Sequence, residues 1–241
     1  MRLADNRQTI STPGLIAAAD IHAVLEAALR IVVQAWVAIR RASELTDEHR
    51  TSEPRTAGCL YWRMCEVERN RHPRLPPMKI KAEIGTFSAE LLEVPDGRID
   101  IEIVYSLSDE PDLRLECKRV SATASDRRAK LAQYYVDGGV LRFVGGKYGR
   151  GHAWGVMVAF VIDGRFADAA TTIAEYIADY HNEAPPHLSR EWQPETRFGR
   201  HRHLFNTRHI QGCGPRQIDL LHLFLQFPRR KRQTKEFGSF L

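Results

Sequence analysis

Two short stretches alternate apolar and polar residues with the period of a strand. In the first, Ile99, Ile101 and Ile103 fall on one face, with Asp100 and Glu102 on the other. In the second, Leu115 and Cys117 point one way while Glu116 and Lys118 point the opposite way. The polar segment 106–112 between them is long enough for a hairpin loop, and Asp96-Gly97 signals a turn before the first strand. Pairing of the two strands brings Asp100, Glu116 and Lys118 onto one patch. A solvated hairpin also shows alternating charge, and cross-strand pairs of opposite sign stabilise hairpins slightly. Pattern alone leaves both readings open.

The rest of the chain supplies context. Apolar residues recur at helical spacing from about 20 to 43 (Ile21, Val24, Leu25, Ala28, Leu29, Val32, Trp36, Ile39), predicting a long buried helix. A charged connection follows, then a second helix over 55–70 carrying Cys59, Leu60, Trp62, Met64 and Val67, whose Met and Trp read as core. The basic, proline-containing stretch 69–77 ends it. A strand is predicted over 78–86, and a helix over 122–143 in which Gly138-Gly139 sits awkwardly. The glycine-rich loop 145–152 lacks the spacing of a nucleotide-phosphate loop. The continuous apolar run 154–162 reads as a central strand buried on both faces. An amphipathic helix over 166–182, a loop over 183–199 and strands over 204–210 and 218–227 complete the chain before the basic run Arg229, Arg230, Lys231, Arg232. This order predicts an α/β protein with a mixed central sheet flanked by helices. The expected division is an N-terminal helical extension (1–54), a main domain (55–228) and a basic C-terminal tail (229–241).

Composition narrows the function classes. A chain of 241 residues that is 43% apolar can bury a full core, and its net charge of +5 favours polyanionic partners. The four cysteines (Cys59, Cys65, Cys117, Cys213) lack the paired short spacing of a zinc site. The charged N-terminus lacks a secretory cleavage pattern, and no uninterrupted apolar run reaches membrane-spanning length. A reducing cytoplasm with free thiols is the expected setting, with no membrane partner.

The run Arg98-Ile99-Asp100, then Glu116-Cys117-Lys118, then a helix, resembles the PD-(D/E)XK nucleases of the restriction-endonuclease-like superfamily. The resemblance extends from about Ser52 to the last strand and is strongest over 97–164; Ile99 stands where the family usually has proline. It implies a restriction-endonuclease-like core. It also implies that Asp100, Glu116 and the Cys117 carbonyl hold Mg²⁺, with Mn²⁺ able to substitute, while Lys118 orients or deprotonates a water. Such an ion polarises the phosphate, activates water and offsets developing charge. The family often adds a Glu from the preceding helix. Glu53 is the expected residue and Glu44 and Glu48 are its rivals; a carboxylate in a first helical turn is also favoured by the helix dipole alone.

Arg119, Gln133, Lys147, Arg150 and Arg208, with His209, are candidate phosphate contacts, although each is also an ordinary surface residue type. The expected activity is Mg²⁺-dependent DNA endonucleolysis. No reader module is evident, so specificity is expected to be low or supplied by a sensor or motor subunit of a prokaryotic defence or DNA-processing system. A homodimer fits the need to cut two strands. The competing readings are a non-catalytic nucleic-acid-binding scaffold of the same fold and an RNA nuclease. The intact Asp100, Glu116 and Lys118 set argues against the scaffold.

Overall fold

The computed structural model describes residues 18–70, 78–82, 100–104, 113–122, 130–148, 152–183, 188–198, 203–211 and 216–228. The predicted hairpin loop, the segment 83–99, Arg150 and the basic C-terminal run lie outside them. The helices are α1 (Ala18–Arg41), α2 (Asp47–Thr51), α3 (Glu53–Arg69), α4 (Lys130–Tyr135), α5 (Leu141–Val144) and α6 (Phe166–Glu183), with a π-helical turn (Val136–Val140) joining α4 to α5. The strands are β1 (Lys79–Ala82), β2 (Ile101–Val104), β3 (Leu113–Val120), β4 (Trp154–Val161), β5 (Leu188–Pro194), β6 (Leu204–Ile210) and β7 (Gln217–Gln226). They form a seven-stranded sheet in the order β1-β2-β3-β4-β7-β6-β5. The central pairings β3–β4 and β4–β7 are parallel, and the flanking pairings are antiparallel. The protein is thus α/β, with a mixed sheet and helices on both faces.

Each strand divides its residues between two cores, as a period of two requires. Ile101, Ile103, Leu115, Cys117, Val158, Phe160, Leu223 and Leu225 join α1 and α3 in one core. Val120, Met157, Ala159, Val161, Leu220 and Phe224 join α4, the π turn, α5 and α6 in the other. Strand β4 is buried along nearly its whole length, as its unbroken apolar run predicts. Helix α1 belongs to the first of these cores: Trp36 stacks on Phe160 with ring centres 5.6 Å apart and donates its indole N–H to the Gln226 carbonyl at 3.2 Å.

One expectation needs correction, and two features add to what was expected. The stretch 183–199 is not wholly loop, because β5 pairs with β6 there. It is an edge strand with register shifts, and an edge tolerates the Pro194 that made it read as loop. Second, His22–Arg41 in α1, at 20 residues and mean hydropathy 1.5, is long and apolar enough to cross a membrane. Glu26 and Arg30 interrupt its apolar run, so no uninterrupted stretch reaches that length, as expected, and its apolar face is buried in the core. Third, the α-helix is interrupted at Gly138-Gly139, as expected, and the interruption is the π turn.

Candidate functional site

In β2 and β3, Ile101 pairs with Leu115 and Ile103 with Leu113. Among the described residues this pairing stops at Leu115, so β3 runs on with its outer edge facing two carboxylates. The N–H groups of Cys117 and Arg119, two residues apart and therefore on the same edge, donate to Asp100 Oδ2 at 2.7 Å and to Glu53 Oε2 at 3.0 Å. Glu53 is positioned by the start of α3, where the Ser52 side chain caps the helix by accepting from the Arg55 N–H and Pro54 lies in the first turn.

Lys118 lies at the centre. Its Nζ donates to Glu53 Oε1 at 3.0 Å, Glu116 Oε1 at 2.6 Å and the Cys117 carbonyl at 3.0 Å. The Glu116 side chain is only 2% exposed, and its Oε2 is buried without a hydrogen-bond partner. The π turn covers the lysine stem: a Cβ at Gly138 would stand 3.6 Å from Lys118 Cε, and one at Gly139 3.7 Å from Lys118 Cγ. At Gly139 it would also come within 2.2 Å of the Met157 terminal methyl, so the second glycine permits the close approach. Gly138-Gly139, awkward within a helical pattern, is what lets the helix lie against the site.

The electrostatics follow from burying like charges around one cation. Burial raises Asp100 to about 6, opposed by Lys118 and the Cys117 N–H and reinforced by Glu53. Burial raises Glu116 further, to about 8; repulsion from Asp100 adds to this and Lys118 opposes it. Burial alone would lower the Lys118 pKa, but Glu53, Glu116 and Asp100 together outweigh it and keep the ammonium charged. The Cys117 thiol, fully buried beside these carboxylates, is pushed well above its ordinary value, so its side chain is structural.

The five residues expected at the centre (Asp100, Glu116, Lys118, Glu53 and the Cys117 carbonyl) are thus brought together. Of the rivals, Glu48 pairs with exposed Arg55 and Glu44 with Arg63. The candidate phosphate contacts separate. Gln133 on α4 and Lys147 after α5 are exposed. Arg119 donates its guanidinium to the Arg50 carbonyl at 3.0 Å and ties β3 to the α2–α3 junction. Arg208 is engaged with Asp219, its Nη2 at 2.7 Å from Oδ2, on a strand three spacings (~14 Å) from β3. His209 is fully buried, its Nε2 2.7 Å from Thr207 Oγ1, and offers no phosphate contact. Two residues that the sequence pattern did not single out belong to the site: Arg142, whose charge reaches Asp100, and Tyr148, whose hydroxyl accepts from Arg142. The glycine pair one turn earlier was the only signal for them.

An oxygen donor set of carboxylates and a carbonyl suits a hard cation, and the unpartnered Glu116 Oε2 is a donor without an occupation. Among the described residues no three His, Cys, Asp or Glu side chains close around a common point as they stand. The Lys118 ammonium holds the position between them. The donors therefore fit such an ion in kind, with Lys118 as the residue that must yield.

Fold and site together define an α/β protein with a buried carboxylate–lysine centre at the β2-facing edge of β3. No family model, curated protein or solved structure matches this chain.

Proposed function

We propose that the protein is a Mg²⁺-dependent phosphodiesterase that cuts DNA internally, with a restriction-endonuclease-like core of the PD-(D/E)XK type. One observation carries the reading: two acidic side chains and a backbone carbonyl converge on Lys118, and a third carboxylate, Asp100, accepts from the neighbouring Cys117 N–H. A structural ion pair needs one carboxylate per ammonium. Burial of these carboxyls, with a smaller contribution from their mutual repulsion, raises the pKa of Asp100 and Glu116, which disfavours folding and is characteristic of sites kept for chemistry.

Asp100, Glu116, Glu53 and the Cys117 carbonyl would hold the ion. When bound, Mg²⁺ supplies charge neutralisation at the phosphate and a lowered pKa for water. Glu116 must give up its proton to bind a cation, and its raised pKa makes that step favoured by neutral to alkaline pH. Lys118, charged and half released from its carboxylates, is placed to orient the attacking water and to stabilise negative charge developing on the phosphate oxygens. Asp100 fixes the geometry as well, since its hydrogen bond to the Cys117 N–H sets the position of the Cys117 carbonyl.

The setting inferred is the cytoplasm of a prokaryotic cell. There the protein would be the effector of a defence or DNA-processing system, acting with a sensor or motor subunit and plausible as a homodimer. The test is cleavage of plasmid and linear DNA with Mg²⁺ or Mn²⁺ by wild type, Asp100→Ala and Lys118→Ala, with RNA as a parallel substrate. Metal-dependent nicking that disappears in both folded variants supports the reading. DNA binding without cleavage under every metal condition supports the scaffold instead, and cleavage confined to RNA changes the substrate.

A further inference from the structure

We propose that Arg50 is a positioning residue of this site: its side chain and its carbonyl strap the junction of α2 and α3 to the central strands, and so hold Glu53 where a divalent cation is to be bound. This rests on the metal-dependent reading above and names the part of the chain that keeps the carboxylate of α3 in place.

The first argument is that the junction cannot hold itself. Helix α2 has five residues, too few to be stable alone, and none of them belongs to the core. Ser52, in extended conformation, both ends α2 and caps α3, so Glu53 is the first residue of a helix, where fraying is greatest. The bonds that fix the junction are polar and centre on Arg50. Its guanidinium donates from Nη1 to the Ile162 carbonyl and from Nη2 to the Pro228 carbonyl, and lies over the Phe227 ring with Cζ 4.9 Å from its centre. Ile162 and Phe227 directly follow β4 and β7. Their N–H groups donate to the Val120 carbonyl at the end of β3 and to the Val161 carbonyl at the end of β4, each at 3.0 Å. The Arg50 carbonyl in turn accepts from Arg119 Nη1 on β3 at 3.0 Å. One residue of α2 thus reaches the ends of three central strands, and Thr56 Oγ1 adds a bond to the His49 carbonyl at 2.7 Å.

The second argument is what the strap serves. Arg119, whose side chain grips the Arg50 carbonyl, gives its own N–H to Glu53 Oε2 at 3.0 Å, while Glu53 Oε1 accepts from Lys118. When Lys118 yields to a cation, Glu53 keeps its place through the Arg119 N–H and the strap alone. A carboxylate fixed in advance loses little freedom on binding an ion, so the strap acts on affinity for the metal. The Arg50 side chain is only 12% exposed, with Asp47 Oδ1 3.6 Å from its Nε, so it is enclosed by the protein rather than presented to a substrate. Two carbonyls also require a fork, which a lysine does not supply.

The test compares full-length wild type, Arg50→Met, Arg50→Lys, Arg119→Met, Glu53→Ala and the double variant Arg50→Met/Glu53→Ala, each well below its unfolding temperature. Two quantities are read without nucleic acid: Mn²⁺ affinity by calorimetry, and the exchange rate of the Arg119 amide hydrogen by NMR in EDTA. Arg50→Met is expected to weaken Mn²⁺ binding about 10–100-fold, as loss of a support behind a metal ligand does. It should also speed exchange of the Arg119 amide at least about tenfold, because the carboxylate that accepts from it is no longer held. Arg50→Lys should recover only part of both. In the Glu53→Ala background Arg50→Met should change neither, since its effect runs through Glu53. A folded Arg50→Met with wild-type Mn²⁺ affinity and wild-type amide exchange, whatever its Tm, would overturn the assignment in favour of a structural role, as would a full further loss of Mn²⁺ affinity in the double variant. If Arg50→Met fails to fold, Arg119→Met decides by the same two quantities, and wild-type values in both overturn the proposal. Should wild type bind no Mn²⁺, the metal-dependent reading fails, and the Arg119 amide alone judges whether Arg50 positions Glu53.

Discussion

Replacing Glu116 by Gln should stabilise the metal-free protein at alkaline pH while abolishing cleavage. The folded-state pKa of Glu116 is raised from 4.5 to about 8, with burial as the main cause. Between those values the folded state holds a proton that the unfolded chain has lost, so ΔG of unfolding falls as pH rises through that interval. At ~1.4 kcal/mol per pH unit the full interval corresponds to about 5 kcal/mol, reached above pH 8 and absent below pH 4.5. Asp100, raised from 3.8 to about 6, acts in the same direction over a lower range.

Glutamine mimics the protonated carboxyl at every pH, so it removes the Glu116 contribution. It also exchanges the ammonium–carboxylate hydrogen bond from Lys118 for a weaker ammonium–amide one, a loss of about 1–2 kcal/mol. The net gain is therefore about 3–4 kcal/mol at pH 8 and above, or roughly 6–16 °C in Tm for a chain of this size. Thermal unfolding in EDTA from pH 4.5 to 9, followed by circular dichroism, reads this directly. Wild-type Tm should decline over the range and the Glu116→Gln curve should cross above it. Added Mg²⁺ or Mn²⁺ should recover wild type by about 2.7 kcal/mol at a hundred times Kd, and leave Glu116→Gln unmoved. A wild-type Tm that is flat or rises from pH 5 to 8, or a variant less stable than wild type at pH 8, would refute the placement of Glu116 as a buried, repelled carboxyl.

Three further outcomes separate the site from its supports. Glu53→Gln should reduce cleavage about 10–100-fold, as loss of a group that orients a metal site does, whereas Glu48→Gln, paired only with exposed Arg55, should stay within a few-fold in the same assay. Gly155→Ala should cost about 1–3 kcal/mol in urea unfolding, because its Cβ would stand 2.6 Å from the buried Phe143 ring and 3.0 Å from Leu220 Cδ2; an unchanged midpoint would mean that the ring moves freely. Tyr135→Phe should cost about 1–3 kcal/mol, since the Tyr135 hydroxyl lies 2.9 Å from Nδ1 of fully buried His222, whose pKa burial lowers to about 3. A neutral His222 makes this loss independent of pH between 5 and 8, and a loss that varies with pH would show that the imidazole titrates.

What was legible in the sequence divides along a physical line. Period-two alternation assigned Ile101, Ile103, Leu115 and Cys117 to one face and Glu116 and Lys118 to the other, because one buried face fixes the register of a strand pair. The unbroken apolar run of β4 placed it at the centre of the sheet for the same reason. Strand β5 was not legible, because an edge strand needs no apolar run and accepts proline. Arg208 and His209 looked like phosphate ligands because residue type was visible while partners were not: Asp219 engages the first, and burial beside Thr207 removes the second.

The centre itself shows where pattern reading stops. Alternation puts Glu116 and Lys118 on one side of β3, yet it says nothing of the Cys117 and Arg119 amides at the strand edge. Those amides donate to Asp100 and Glu53 beyond Leu115, where the pairing with β2 stops among the described residues. Recruitment buries three carboxylates near one ammonium, and that burial, with their mutual repulsion as a smaller cause, raises the pKa of Asp100 and Glu116. A metal ion among the oxygens would offset that charge. The same excess of negative charge that disfavours folding at alkaline pH is therefore what gives the site its affinity for cations.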